Sequence, residues 1–399
     1  MKNHCDFLSF FMGGFECSTH RLASGKRLDL LSATKHDMYA KMDYQRLLEF
    51  GIRSARDGIR WHLIERSPYR YDFSSVLPMV RAARQTGVQI LWDLFHYGWP
   101  DDLDLFHPEF VRRFRSLARS FACLLRDESG PVQYLSPVNE ISFFAWGAGE
   151  VGCLNPFATG RGHELKAQLV RASIEAIEAI RDVLPAARFI QVDPVIHIVL
   201  DQFATEEEKR AARLHCRAQY EAWDLLAGHG APELGGHHKY LDIVGVNYYV
   251  HNQWTYNGPP ISSTHPGYRP LREMLAEVYH RYRRPLFIAE TGIEDDLRPE
   301  WLKFIADEVI AAMGMGIPVE GICLYPIVNH PGWADDRHCK NGLWDYCDDS
   351  GGREIYAPLA AEIERQAVRI DEARNHYASK TVLELRTDAR EPVSKLRSN

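Results

Sequence analysis

The sequence predicts a single (β/α)8 barrel, and three observations carry that expectation. Short β-like runs and longer amphipathic segments alternate along the chain, and each kind can be counted to eight. No linker rich in Gly, Pro or Ser divides the chain, and it holds no internal repeat beyond the alternation itself. The 399 residues, 45% of them hydrophobic, supply material for one large core, and barrels of this kind often run well past about 200 residues as one unit.

Strands are expected near 10–15, 54–60, 88–94, 133–138, 188–193, 241–247, 285–289 and 320–325. Helices are expected at 39–50, 76–85, 108–126, 165–184, 206–227, 271–282, 301–313 and from 354 to about 376. Gly51 and Gly87 close the first two helices, each followed within a few residues by the next strand. In the fourth helix Val170, Ile174, Ile177, Ile180 and Leu184 form one apolar stripe, and Pro185 stops it. Pro299 opens the seventh, where a missing N–H costs nothing. The barrel domain is expected to span 1–377, with the polar, charged stretch 378–399 as a mobile tail. Two longer excursions, 147–162 and 250–270, follow the fourth and sixth strands on the side where barrel loops carry sites.

A net charge of −7 gives no reason to expect a nucleic-acid partner. The eight cysteines are scattered without a C-x-x-C pair, so they read as reduced thiols rather than a zinc site or a disulfide framework. His237-His238, His330 and His338 lack the spacing of a metal motif, and no metal or organic cofactor is expected. The apolar run 7–12 is too short for a secretory core, and no stretch approaches the roughly 20 apolar residues of a membrane span. A soluble cytoplasmic protein with no membrane partner is therefore expected, its oligomeric state left open.

In a barrel, residues at strand ends converge on one mouth. The first strand delivers Glu16 and His20, the second Arg56, Arg60 and Trp61, and the third Asp93, His96 and Trp99. Asn139 and Glu140 come from the fourth, Asp193 and His197 from the fifth, and Asn247, Tyr248 and Tyr249 from the sixth. Glu290 ends the seventh, and Tyr325, Asn329, His330 and Trp333 follow the eighth. Two short strands that each stop at a glutamate, Glu140 and Glu290, suit the cleavage of a glycosidic bond. One carboxyl protonates the departing oxygen while the other attacks or stabilises the cationic sugar centre. Aromatic rings cover the sugar's apolar faces, and Asn, His and Arg bond its hydroxyls. An Arg beside one glutamate would keep it ionised, while an apolar setting would raise the other for acid work. Glu16, Arg60, Trp61 and His197 read as packing or supporting groups.

These residues resemble the retaining glycoside hydrolases with a (β/α)8 barrel, and within them are most similar to glycoside hydrolase family 1, the β-glucosidase and 6-phospho-β-glycosidase family. The family's His-Trp-Asp-Leu-Pro corresponds to His96-Tyr97-Gly98-Trp99-Pro100, and its Asn-Glu-Pro to Asn139-Glu140-Ile141. Gly245-Val246-Asn247-Tyr248-Tyr249 and Ala289-Glu290-Thr291-Gly292 match two further motifs. The resemblance spans nearly all of 10–345. It implies Glu140 as acid/base, Glu290 as nucleophile, and Arg56 and Tyr249 as groups that orient and tune the nucleophile. It places Asn139 on the sugar's 2-hydroxyl, with His20, His96, Asn247, Tyr325 and Trp333 as further contacts to a small carbohydrate or glycoside. In the eighth-strand motif the family's first Trp is Tyr325, and the Glu that grips the far hydroxyls of glucose is Gly332, so the sugar itself is left open. Two rivals stand beside this reading: a metal-dependent barrel hydrolase, which needs a ligand cluster at the strand ends, and a catalytically silent carbohydrate-binding barrel.

Overall fold

A computed structural model describes residues 7–130 and 132–388, with side chains to residue 377. Eight strands, β1 (Phe11–Gly14), β2 (Ser54–Gly58), β3 (Gln89–Asp93), β4 (Tyr134–Ser136), β5 (Arg188–Pro194), β6 (Ile243–Asn247), β7 (Leu286–Thr291) and β8 (Val319–Leu324), form one closed barrel. Each pairs in parallel with the next, and β8 returns to β1. Every strand overlaps one expected from the sequence. The strands are buried on both faces, as a parallel sheet wrapped in helices requires. Met12, Leu91, Tyr134, Ile190, Val192, Ile243, Phe287, Ala289, Cys323 and Tyr325 form a core cluster of their own inside the barrel. Phe7 closes the N-terminal end of that cluster, its ring 4.9 Å from Phe287 and 5.8 Å from Tyr134.

The surrounding helices are α1 (His36–Glu49), α2 (Leu77–Thr86), α3 (Glu109–Ser129), α4 (Gly162–Arg181), α5 (Glu206–Ala218), α6 (Glu221–Ala227), α7 (Leu271–Tyr282), α8 (Arg298–Gly314) and α9 (Ala357–Asp388). The stripe read in α4 is buried against the barrel. Gly87, at φ 73°, ends α2 in the left-handed conformation that glycine adopts without strain.

Three boundaries differ from expectation for physical reasons. The single helix expected over 206–227 is two, α5 and α6. Between them Gln219 turns inward and clamps Ile196 through both backbone groups, accepting from its N–H (2.8 Å) and donating to its carbonyl (3.2 Å). Only α6 carries a substantial core face, with Ala222, Trp223, Leu225 and Leu226 buried, whereas α5 buries Ala212 alone. At the other end, residue 354 does not open the last helix, because Arg353–Ile355 pairs antiparallel with Trp344–Cys347. That helix runs to Asp388, past the boundary expected at 377, and 389–399, the rest of the expected tail, lie outside the described residues.

Both excursions rise on the C-terminal side of the strands. After β4 the chain makes a short helix, Ile141–Phe144, and a π-helical turn, Ala145–Glu150. After β6, Gln253–Thr255 pairs in parallel with His197–Val199 beyond β5, a small second sheet over the barrel mouth. Among the described residues no helix is long and apolar enough to cross a membrane, and seven cysteines are free thiols, Cys5 lying outside them.

Candidate active site

β4 stops at Ser136, and the next four residues carry the chain over its rim to Glu140. Backbone bonds fix this segment from both sides: Asn139 N–H donates to Phe95 O and Glu140 N–H to Val192 O, both at 3.0 Å. Asp193, at the end of β5, accepts from Ser142 N–H (2.9 Å) and so caps the short helix that starts there. Glu140 itself sits at φ 47°, ψ 60°, left-handed space that a non-glycine residue occupies only at a cost of about 1–3 kcal/mol. Tyr97 is left-handed as well, at φ 67°. These two strained residues meet: the Tyr97 hydroxyl donates to Glu140 Oε2 at 2.5 Å, while Asn247 Nδ2 donates to Oε1 at 2.8 Å.

Glu290 is held differently. The guanidinium of Arg56, wholly buried beneath the mouth, donates to Glu290 Oε1 (2.9 Å), and the Tyr249 hydroxyl donates to Oε2 (3.0 Å). The same guanidinium reaches Asp93 Oδ2 (2.7 Å) and Asn139 Oδ1 (3.0 Å). Asn139 Nδ2 in turn donates to the Tyr97 oxygen at 3.2 Å and lies 3.3 Å from His96 Nε2. A continuous path of polar contacts thus runs from Glu140 through Tyr97, Asn139 and Arg56 to Glu290.

The two carboxyls are alike in burial and unlike in neighbours. Burial, then the negative charge of Glu290, pushes Glu140 up to about 8, against the hydrogen bonds from Tyr97 and Asn247. Burial also pushes Glu290 up, but there the charges of Arg56 and His96 oppose it. A proton shared by the two acids therefore resides on Glu140, because the fixed cation is bound to Glu290. Both line one cavity of about 630 Å³, within the size range of small-molecule sites. Such a site can hand a proton to a leaving group on one side and present a carboxylate on the other.

No family model matches the chain, and neither does any curated protein. Solved structures do match in shape. A family 1 β-glucosidase from Thermotoga maritima superposes with a TM-score of 0.73 at 16% identity, over 90% of this chain and 97% of that one. A β-glucosidase from the same organism in complex with deoxynojirimycin gives 0.72 at 16% identity, over 89% and 96%. A hyperthermophilic β-glucosidase mutant gives 0.70 at 17% identity, over 90% and 99%. The chain has the family 1 β-glucosidase fold.

The remaining residues expected in the site are placed unequally. His96, Tyr325 and Trp333 line the cavity with Glu140, Glu290 and Tyr249. Tyr325 lies parallel to His96 at 6.0 Å, with Arg56 5.3 Å from its ring centre. Arg56, Asn139 and Asn247 are fully buried behind the wall and act on the carboxylates and their partners. His20 does not reach the cavity: its ring packs behind Trp333 at 4.8 Å, and burial lowers its pKa to about 4. Its ring instead meets Tyr97 and Trp333 edge-on, contacts that its position in the sequence does not reveal.

Tyr97 and Glu16 were not counted as site residues from the sequence, yet both line the cavity. Adjacency to His96 was the available signal for Tyr97; for Glu16 it was the strand end, which brings it to the mouth without showing what it bonds. The segments after β4 and β6 supply more of the cavity wall, with Phe143, Trp146, His251 and Trp254. One group of potential metal ligands exists among the described residues: Cys17, Asp93 and His96, whose donor atoms lie within 4.8 Å of one another. The Arg56 guanidinium 2.7 Å from Asp93 already supplies the positive charge there, so a further cation would be repelled.

Proposed function

We propose that the protein is a retaining β-glycosidase acting on a small glycoside. The observation that carries this reading is the asymmetry within one cavity: Glu290 bonded to Arg56 and Tyr249, Glu140 carrying its proton at neutral pH. Glu290 attacks the anomeric carbon as Glu140 gives its proton to the leaving oxygen, so that the glycosidic bond breaks and a glycosyl ester forms on Glu290. Glu140, now a carboxylate, takes a proton from water, whose oxygen attacks the same carbon and releases the sugar and Glu290. Arg56 and Tyr249 orient the nucleophile and disperse its charge. The chemistry needs no metal or organic cofactor. Free thiols suit a reducing cytoplasm, the setting we assign to it.

The test is covalent. An activated 2-fluoro-β-glycoside should leave a stable adduct on Glu290, located by peptide mass spectrometry, and Glu290→Gln should lose turnover of aryl β-glycosides by a factor on the order of 10³ or more. An adduct on another residue, or a Glu290→Gln variant as active as the parent, would sink the assignment.

A further inference from the structure

The reaction proposed above leaves one carboxylate of the cavity without a task. Five glutamates line it: Glu16, Glu140, Glu150, Glu221 and Glu290. Glu150 accepts from Gly162 N–H and Glu221 pairs with Lys166, so both already have partners. Glu16 is different. Its Oε1 is fixed by Ser18, through the backbone N–H (2.9 Å) and the hydroxyl (2.5 Å), while among the described residues no hydrogen bond engages Oε2. Burial works against its charge, while nearby His96 and the Ser18 bonds favour it, and its carboxyl stays below its ordinary value.

A second unengaged acceptor belongs to the same cavity. Asn341 Nδ2 donates to His330 Nε2 (3.1 Å), and His330 Nδ1 donates to Pro331 O (2.8 Å), which leaves Asn341 Oδ1 buried with no partner. Tyr325 and Trp333 supply ring surface on this wall. A buried acceptor without a donor, such as Asn341 Oδ1, is costly, and the ionised Oε2 of Glu16, which is not sealed off, accepts from any donor that enters the cavity. What completes two acceptors is a donor edge, such as the hydroxyls of a sugar. A phosphate or carboxylate brings only more acceptors and a like charge.

We propose that Glu16 Oε2, assisted by Asn341 Oδ1, selects the glycone: it takes hydroxyl donors of an uncharged sugar ring and excludes sugars bearing phosphate or carboxylate. This rests on the glycosidase reading, and its test separates the two. Aryl β-glycosides of a neutral hexose, the 6-phosphohexose and the hexuronic acid are compared by kcat/KM. The parent should prefer the neutral sugar by about 100-fold or more, and Glu16→Gln should lose about 10- to 100-fold on it, the worth of a charge-assisted bond. On the phosphorylated sugar the same change should give an equal or higher rate, with the 2-fluoro sugar still trapped on Glu290. Should Glu16→Gln fail to fold, Asn341→Ala decides, with KM raised for the neutral sugar only.

A parent that hydrolyses the phosphorylated sugar as well as the neutral one overturns the selection while leaving the glycosidase intact. So does an equal loss on all three sugars in either variant. No hydrolysis of any glycoside and no adduct on Glu290 overturns both.

Discussion

At the scale of single residues, the Tyr97 hydroxyl governs when Glu140 can act as an acid. Its bond to Oε2 favours the carboxylate and so holds the Glu140 pKa down, against burial and Glu290, which leave it at about 8. On the present reading, kcat/KM falls as pH rises through about 8, because the proton donor is lost. Tyr97→Phe removes a bond that stabilises the charged form, so the pKa rises and the alkaline limb should move up by about one pH unit, the equivalent of the ~1.5 kcal/mol such a bond is worth. A pH profile of kcat/KM for both proteins checks the sign. An unmoved or lowered limb would show that Tyr97 does not tune the acid.

At the scale of elements, the barrel mouth depends on how closely β1 approaches the residue after β8. A β-carbon on Gly14 would lie 2.1 Å from Tyr325 Cδ2. Tyr325 cannot give way easily, since its ring is buried between His96 and Arg56. Gly14→Ala should therefore cost about 1–3 kcal/mol of stability in urea unfolding and raise KM, because the aromatic wall moves. The elements themselves were legible in the sequence. Apolar stripes of helical period with Gly or Pro at their ends marked the helices, and the short β-like runs between them located all eight strands. The split between α5 and α6 was not legible, because Gln219 breaks the helix by bonding Ile196, which is remote in sequence. The pairing of His197–Val199 with Gln253–Thr255 is equally non-local.

At the scale of the whole molecule, β2 is tied to α1 and to the C-terminal part of the chain by a buried ionic cluster. His36 bridges Asp43 and Asp57 at 2.8 Å each, Tyr44 donates to Asp57, Arg46 and Arg353 bind Asp43, and Phe15 stacks on the imidazole. Burial alone would lower the His36 pKa, but Asp57 and Asp43 outweigh it and raise it to about 9. A raised pKa contributes stability that is complete below the ordinary value of 6.5 and is lost as pH climbs through about 9. The urea midpoint should accordingly fall by the equivalent of roughly 3 kcal/mol between pH 6.5 and 9.5, and His36→Asn should flatten that slope. Which chemistry reaches the mouth was partly legible, because strand-end glutamates announce themselves. The parts Glu16 and His20 take there were not, because the facing of a side chain at the rim is decided by Ser18, Trp333 and Tyr97, which the chain assembles only on folding.

The path from Glu140 through Tyr97, Asn139 and Arg56 to Glu290 makes the two acids parties to one equilibrium. Neither has a private titration curve, since each proton gained or lost belongs to the pair. Free-energy penalties measured for single substitutions along this route will not sum to that of the multiple variant. Asn139, which was expected to hold a hydroxyl of the substrate, is in this arrangement the joint through which the acid and the nucleophile sense each other.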